Sequence, residues 1–299
     1  MSKTLMRGRG VQLSRLVDMN DPEAVFAQAE KNFLLSYPAV EFAMVRSVFN
    51  DFRALYRGQY PGYGACNTRY HDVAHVTDTL LAVSRLMDGY NIRRGPLPVR
   101  YAKLGLIAAI LHDAGYIQSK KDRKGTGAKY TASHVERSSG FAEKYFRKRG
   151  LSRADFTLVK LMIACTDLCT DIKGLKLDRH EKTVSLMVGT GDILGQMASR
   201  CYLERLGFLY REFKEARIKS YSSTIDLLKK TVGFSANMER RLKKDLGNVQ
   251  KYARFHFKER FKTDVNLYLL AIKRNMDYLK TRVLSDQRNY RLHLRRRRL

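Results

Sequence analysis

Tryptophan is absent from the 299-residue chain, and proline occurs only five times. So few helix breakers among many Leu, Ala, Lys and Arg favour long helices. No strand pattern or internal repeat stands out. Four cysteines (Cys66, Cys165, Cys169 and Cys201) are too few to staple a chain of this length with disulfides. Cys165 and Cys169 share one helix face, but no second pair at suitable spacing follows, which disfavours a cysteine zinc site. Buried free thiols in a reducing cytosol are expected. Long apolar runs are missing as well. The run LGLIAAIL, 104–111, falls far short of the roughly twenty residues a bilayer span needs. The opening MSKTLMRGRGVQLSRLV lacks the apolar core of a signal peptide. A soluble, cytoplasmic protein is expected.

Acidic residues are the last scarcity: 29 Asp and Glu face 57 Lys and Arg, a net charge of +28. Residues 201–299 carry 26 basic and 10 acidic side chains, a net of +16, so the excess is densest at the end. Such a field attracts phosphorylated metabolites, nucleic acid or acidic lipid surfaces without choosing among them.

What is present is a core-forming composition, 44% hydrophobic, with helical periodicity nearly throughout. Val25, Phe26, Ala29, Phe33 and Leu34 line one face over 22–36. Val40, Phe42, Val45, Phe49 and Leu55 do so over 38–57. The stretch 58–69, GQYPGYGACNTR, reads as a loop. Helices are predicted near 71–88, 98–113, 133–149, 153–168, 181–199, 201–217, 221–231 and 236–246. A long one is predicted over 248–284, with Tyr252, Phe255, Phe261, Val265, Tyr268, Ile272, Met276 and Leu279 as its stripe. Residues 119–133 read as a mobile basic loop, Ser133 and Glu136 have capping-box spacing, and RLHLRRRRL reads as a frayed tail. The fold class is all-α: an N-terminal extension over 1–37, a helical core over 38–220 and a basic helical extension over 221–299.

Two motifs carry chemistry. In YHDVAHVTD, residues 70–78, His71, His75 and Asp78 recur at helical spacing, so one face presents both imidazoles to one point. In LHDAGY, His112 and Asp113 cap the oily run. An isolated His-x-x-x-His pair reads equally well as one core and one surface histidine. A second cluster one helical hairpin away, with a carboxylate that is costly to bury unless a cation or hydrogen bonds satisfy it, favours a metal. Imidazole and carboxylate donors suit Zn, Mn, Fe or Mg.

These residues resemble the HD-domain metal-dependent phosphohydrolases, and within them the cyclic-nucleotide phosphodiesterase-like branch, whose pattern is Tyr-His-Asn-x-x-His-x-x-Asp-Val. The resemblance covers roughly 65–220. Tyr70-His71 matches the start of the pattern, His75 its metal-binding histidine, and His112-Asp113 the pair that names the superfamily. HVERSS (134–139), LMIACTDL (161–168) and VGTGDILGQM (188–197) resemble later family segments. Position 72 is Asp where the pattern has Asn, and Ala114-Gly115-Tyr116 replaces the His-Pro-Gly of animal-type enzymes. The purine-gripping glutamine has no clear counterpart, Gln287 being a weak candidate.

The resemblance implies a two-metal, all-helical phosphohydrolase with His75, His112, Asp113 and Asp192 around the first ion. Asp113 would bridge to a second, more water-rich ion, and the pair would generate hydroxide. His71 would protonate the leaving oxygen, and Glu136 would hold a metal-bound water or orient His71. Asp167 is the alternative distal ligand; Asp192 is preferred because Gly189 and Gly191 let backbone approach the site. Asp78 is read as a partner of a ligand histidine, and His134 as an exposed non-ligand. His180, His256 and His293 are read as ordinary. Lys120, Lys121, Arg123, Lys124 and Lys129 form either a solvated charge run or a lid gathering substrate phosphate, through Lys120, Lys121 and Lys124 above all. The expected partner is a phosphorylated, nucleotide-like small molecule. The motifs that distinguish the alarmone, cyclic-di-GMP, dNTP and inositol-oxygenase-like cousins are not found. The competing reading is a catalytically weak scaffold that binds nucleic acid or an acidic membrane through its basic C-terminal region.

Overall fold

The computed structural model describes residues 11–172, 174 and 177–296. The basic start at 1–10 and Arg297 and Arg298 of the tail lie outside the described residues. Among the described residues the chain is all-α. Eleven helices run in order: α1 Pro22–Leu34, α2 Ala43–Tyr56, α3 Val73–Arg94, α4 Val99–Leu111, α5 His134–Lys148, α6 Arg153–Ala164, α7 Arg179–Met197, α8 Tyr202–Glu215, α9 Thr224–Lys244, α10 Tyr252–Phe261 and α11 Leu267–Tyr278. Two isolated β-bridges, Arg57 with Ala65 and Tyr63 with Ser119, are the only β pairing among those residues. None of their helices is long and apolar enough to cross a membrane.

Helix α3 is the axis of the molecule. It packs against α1, α4, α7 and α10. From His75 to Tyr90 every residue is buried, including Asp78, Arg85 and Asp88. A helix surrounded on all sides must satisfy its charges internally. At its C-terminal half Asp88 accepts from His256 Nδ1 (2.6 Å) and from both arms of Arg260 (2.8 and 3.1 Å). Helix α4 is buried from Leu104 to Leu111, as its LGLIAAIL run requires.

Local chemistry sets the helix starts. Pro22 occupies the first turn of α1 and Asp21 caps it through the Glu23 N–H. Asp72 caps α3 by accepting from the His75 N–H (3.0 Å), so α3 starts at Val73 and His71 lies in the preceding turn rather than on the helix. Asp is among the strongest N-cap residues, so position 72 suits the start of a helix. Ser133 caps α5 without a side-chain bond, and Glu136 does not complete a box. A capping box does form at α7, between Asp178 and Glu181.

Further expectations are corrected. The helices read over 221–231 and 236–246 are one, α9, because Gly233 costs a helix only about 1 kcal/mol and packing overrides it. The helix read over 248–284 is two, broken at Lys262, which is left-handed (φ 53°), and restarted by Asn266 capping α11. The stretch 119–133 is pinned rather than mobile. Gln118 donates to the carbonyls of Asp122 and Lys124, Asn67 accepts from the Gly127 N–H, and Thr126 bonds Glu215 on α8. The described part of the tail is held as well: Arg296 pairs with Glu204 and donates to Asn275 Oδ1 (3.0 Å).

Candidate metal centre

Three segments converge at the N-terminal end of α3. His75 sits in the first turn of α3, His112 and Asp113 follow the last residue of α4, and Asp192 projects from α7. His75, His112 and Asp192 each offer a ligand atom, all within 4.8 Å of one another, a group that can hold a metal ion. Asp113 belongs beside them: its Oδ2 is 3.2 Å from His75 Nε2 and 3.4 Å from His112 Nε2. His75, His112 and Asp113 are at most 5% exposed.

Small residues permit the convergence. A Cβ on Gly195 would lie 2.9 Å from the Asp78 and Thr79 backbone, so α7 meets α3 more closely than any side chain allows. Asp192, one turn earlier, is thereby brought within 3.2 Å of His75 Nε2. A Cβ on Gly115 would lie 2.0 Å from the His134 carbonyl oxygen, which seats the turn after Asp113 against the start of α5.

The donor set fits a divalent cation. His112 Nδ1 lies 2.8 Å from the Ala109 carbonyl, which can only accept, so Nδ1–H donates and Nε2 turns its lone pair inward. Two carboxylate oxygens, Asp113 Oδ2 and Asp192 Oδ1, are buried with no hydrogen-bond partner, although each lies 3.2 Å from His75 Nε2. Two carboxylates converging on one imidazole nitrogen need positive charge between them, and the single Nε2–H of a protonated His75 has two oxygens to serve, so a bound cation suits the arrangement. Burial pulls the His75 imidazole down, but Asp113 and Asp192 outweigh it and push it up to about 10. Burial likewise raises the Asp113 carboxyl, yet His112 and His75 hold it well below the usual carboxylate range.

The other site residues divide. His71 lies beside the cluster, its ring stacked on Tyr116 at 4.2 Å between centroids. Its Nδ1–H donates to Glu212 Oε2 (2.6 Å), leaving Nε2 available, 3.4 Å from the Tyr116 hydroxyl. Asp167 is not in the triad; its Oδ1 accepts from the Cys169 N–H. Glu136 is exposed on α5, and no hydrogen bond or ion pair joins its side chain to the cluster. Lys120, Lys121 and Lys124 are exposed on the pinned loop, whereas Lys129 is committed to Asp122 (2.6 Å).

Sequence reasoning missed three groups. His134 is the first residue of α5, only partly exposed, with Nδ1–H donating to the Thr131 carbonyl (2.7 Å) and Nε2 3.8 Å from Asp113 Oδ1. It offers the cluster a third imidazole nitrogen, and burial lowers its pKa. Glu212 accepts from the N–H groups of Arg69 (2.8 Å) and Tyr70 (2.6 Å) as well as from His71. The available signal was an acid on the half-apolar face of α8, between Leu209 and Phe213. Tyr116 occupies the position where the family pattern differs, and nothing in the sequence marked it as a stacking partner.

No protein-family model matches the chain, and neither the curated proteins nor the solved structures searched give a match.

Proposed function

We propose that the chain is a metal-dependent phosphohydrolase of HD-domain type, cleaving a phosphodiester or phosphomonoester of a nucleotide-like substrate. The supporting observation is the buried convergence of His75, His112, Asp113 and Asp192 with two carboxylate oxygens that have no hydrogen-bond partner. The order Tyr-His, His, His-Asp, Asp along an all-helical chain supports the finer family reading.

His75, His112, Asp113 and Asp192 would hold the first ion, with His134 and Asp113 facing a second position. A divalent ion held there would supply Lewis-acid activation of water and of a phosphoryl oxygen. The chain's own residues supply the rest. His71 delivers a proton from Nε2 to the leaving oxygen. Glu212 fixes the ring through Nδ1 and Tyr116 fixes its plane by stacking. Glu212 also ties down the backbone on which His71 rides. Lys120, Lys121 and Lys124 would attract the anionic substrate from solvent.

The test is His71→Ala. Because His71 is assigned as acid rather than ligand, the variant should keep its metal while losing about 10²–10⁴-fold in phosphoester turnover. Loss of metal together with activity would make His71 a ligand instead.

A further inference from the structure

We propose that a groove between α7, α9 and α11, away from the metal centre, binds an amphipathic organic anion: an apolar acyl or aryl body carrying one hydrogen-bond donor and a negatively charged group. The groove has a volume of about 390 Å³, within the range of small-molecule sites.

Its walls are apolar. Ile193 and Met197 come from α7, Met238 and Leu242 from α9, Ile272 and Met276 from α11. The three methionines are unbranched and adapt to ligand shape. Leu269, also on the wall, is 40% exposed, so apolar surface faces solvent at this groove. Ile193 and Met197 leave α7 on a different flank from Asp192, as about 100° of turn per residue requires, so the two sites share a helix without sharing a face.

Two polar features define the ligand. Gln250 lines the groove and is 4% exposed. Its Nε2 donates to Asn248 Oδ1 (2.8 Å), and its backbone carbonyl accepts from Asn266. Its Oε1 is buried with no hydrogen-bond partner. A buried carboxamide oxygen left unpaired is destabilising, and a donor on a ligand relieves it. At the other extreme three lysines, Lys243, Lys273 and Lys280, face two acids, Glu239 and Asp277. Lys243 is neutralised by Glu239 (2.6 Å). Lys273 and Lys280 form no ion pair among the described residues, so the rim carries a net positive charge. Lys280 lies in the π-helical turn Leu279–Val283 that ends α11, a distortion frequent at functional sites.

Anilinonaphthalene sulfonate combines the three elements: fused rings, a bridging N–H and a sulfonate. Titrated into the full-length protein and followed by fluorescence, it should bind saturably at one site per chain. Reversing Lys273 and Lys280 to Glu, both exposed and external to the core, should weaken binding about tenfold, since each exposed pair contributes a few-fold and both change sign. Gln250→Leu should weaken it without altering the charge dependence, and Ile272→Trp should block it. Circular dichroism and an unchanged melting temperature of the lysine variant keep the result interpretable if a core variant misfolds. Absence of saturable binding would overturn the proposal. So would wild-type affinity in the lysine variant, or loss of the signal on dilution with a dimer-to-monomer transition, which would mark the groove as a self-association face.

Discussion

Replacing Glu212 with Gln changes one group and should disarm the acid without disturbing the metal ligands. In the wild type Oε1 takes the N–H groups of Arg69 and Tyr70, and Oε2 takes Nδ1–H of His71. In the variant the carboxamide oxygen stays on the two backbone donors, because an amine there would oppose both. The amine then faces His71 Nδ1, which must accept, and the ring proton moves to Nε2. All three hydrogen bonds lose their charge assistance, a stability loss of about 1–2 kcal/mol, or roughly 2–8 °C for a chain of this size. Turnover of bis(p-nitrophenyl) phosphate should fall by about 10² or more, because a ring whose Nδ1 accepts holds its one proton on Nε2 and cannot release it without becoming an imidazolate. Ring nitrogen NMR spectra should show the tautomer exchange directly, and metal content should be unchanged. Full activity in a variant whose tautomer has demonstrably switched would refute the reasoning.

Acid should loosen the far end of α3. Burial, against the pull of Asp88, holds His256 down at about 4, with Arg85 and Arg260 adding to the depression. The folded chain therefore resists a proton that the unfolded chain accepts below its ordinary value near 6.5. The stability contribution is complete above that value and is lost as pH falls toward 4, a loss of about 3 kcal/mol that denaturant melts across this range should show and His256→Gln should flatten. Asp88 is itself depressed, after burial is outweighed by His256 and Arg260, so its contribution is lost only below the ordinary carboxylate value. Neutralising Lys120, Lys121 and Lys124 together should raise KM for an anionic substrate while leaving kcat in place; an unchanged KM returns them to a solvated charge run.

The helices were legible where periodicity and caps agreed. Val25, Phe26, Ala29 and Phe33 are buried, as the stripe on α1 implied, whereas Leu34, at the helix end, is 41% exposed. Where the code is weak it misled. Val40 shares the apolar spacing but sits in a short 3₁₀ turn and is 77% exposed. Val265 continues the C-terminal stripe on paper, but the backbone reverses hand at Lys262 and leaves it 45% exposed. The cluster of His75, His112 and Asp192 was readable because two of its pieces lie in short motifs at helical spacing. Glu212 and His134 were not, for opposite reasons. Glu212 lies 141 residues from its partner His71, and only tertiary packing joins them. His134 looked like a loop edge because the pinning of 119–133 by Gln118, Asn67 and Glu215 is invisible in a basic, Gly-containing stretch.

The most direct measurement is the metal content of purified protein, after reconstitution with Mn or Zn, for the wild type and Asp192→Asn in parallel. The account predicts at least one ion per wild-type chain. It also predicts thermal stabilisation by excess metal of about 5 °C, from the roughly 2.7 kcal/mol that a hundredfold excess over Kd supplies. Both should be lost in Asp192→Asn while its helical content is retained. A wild-type chain that takes up no stoichiometric metal, or an Asp192→Asn chain that binds it as well as wild type, would contradict the central claim.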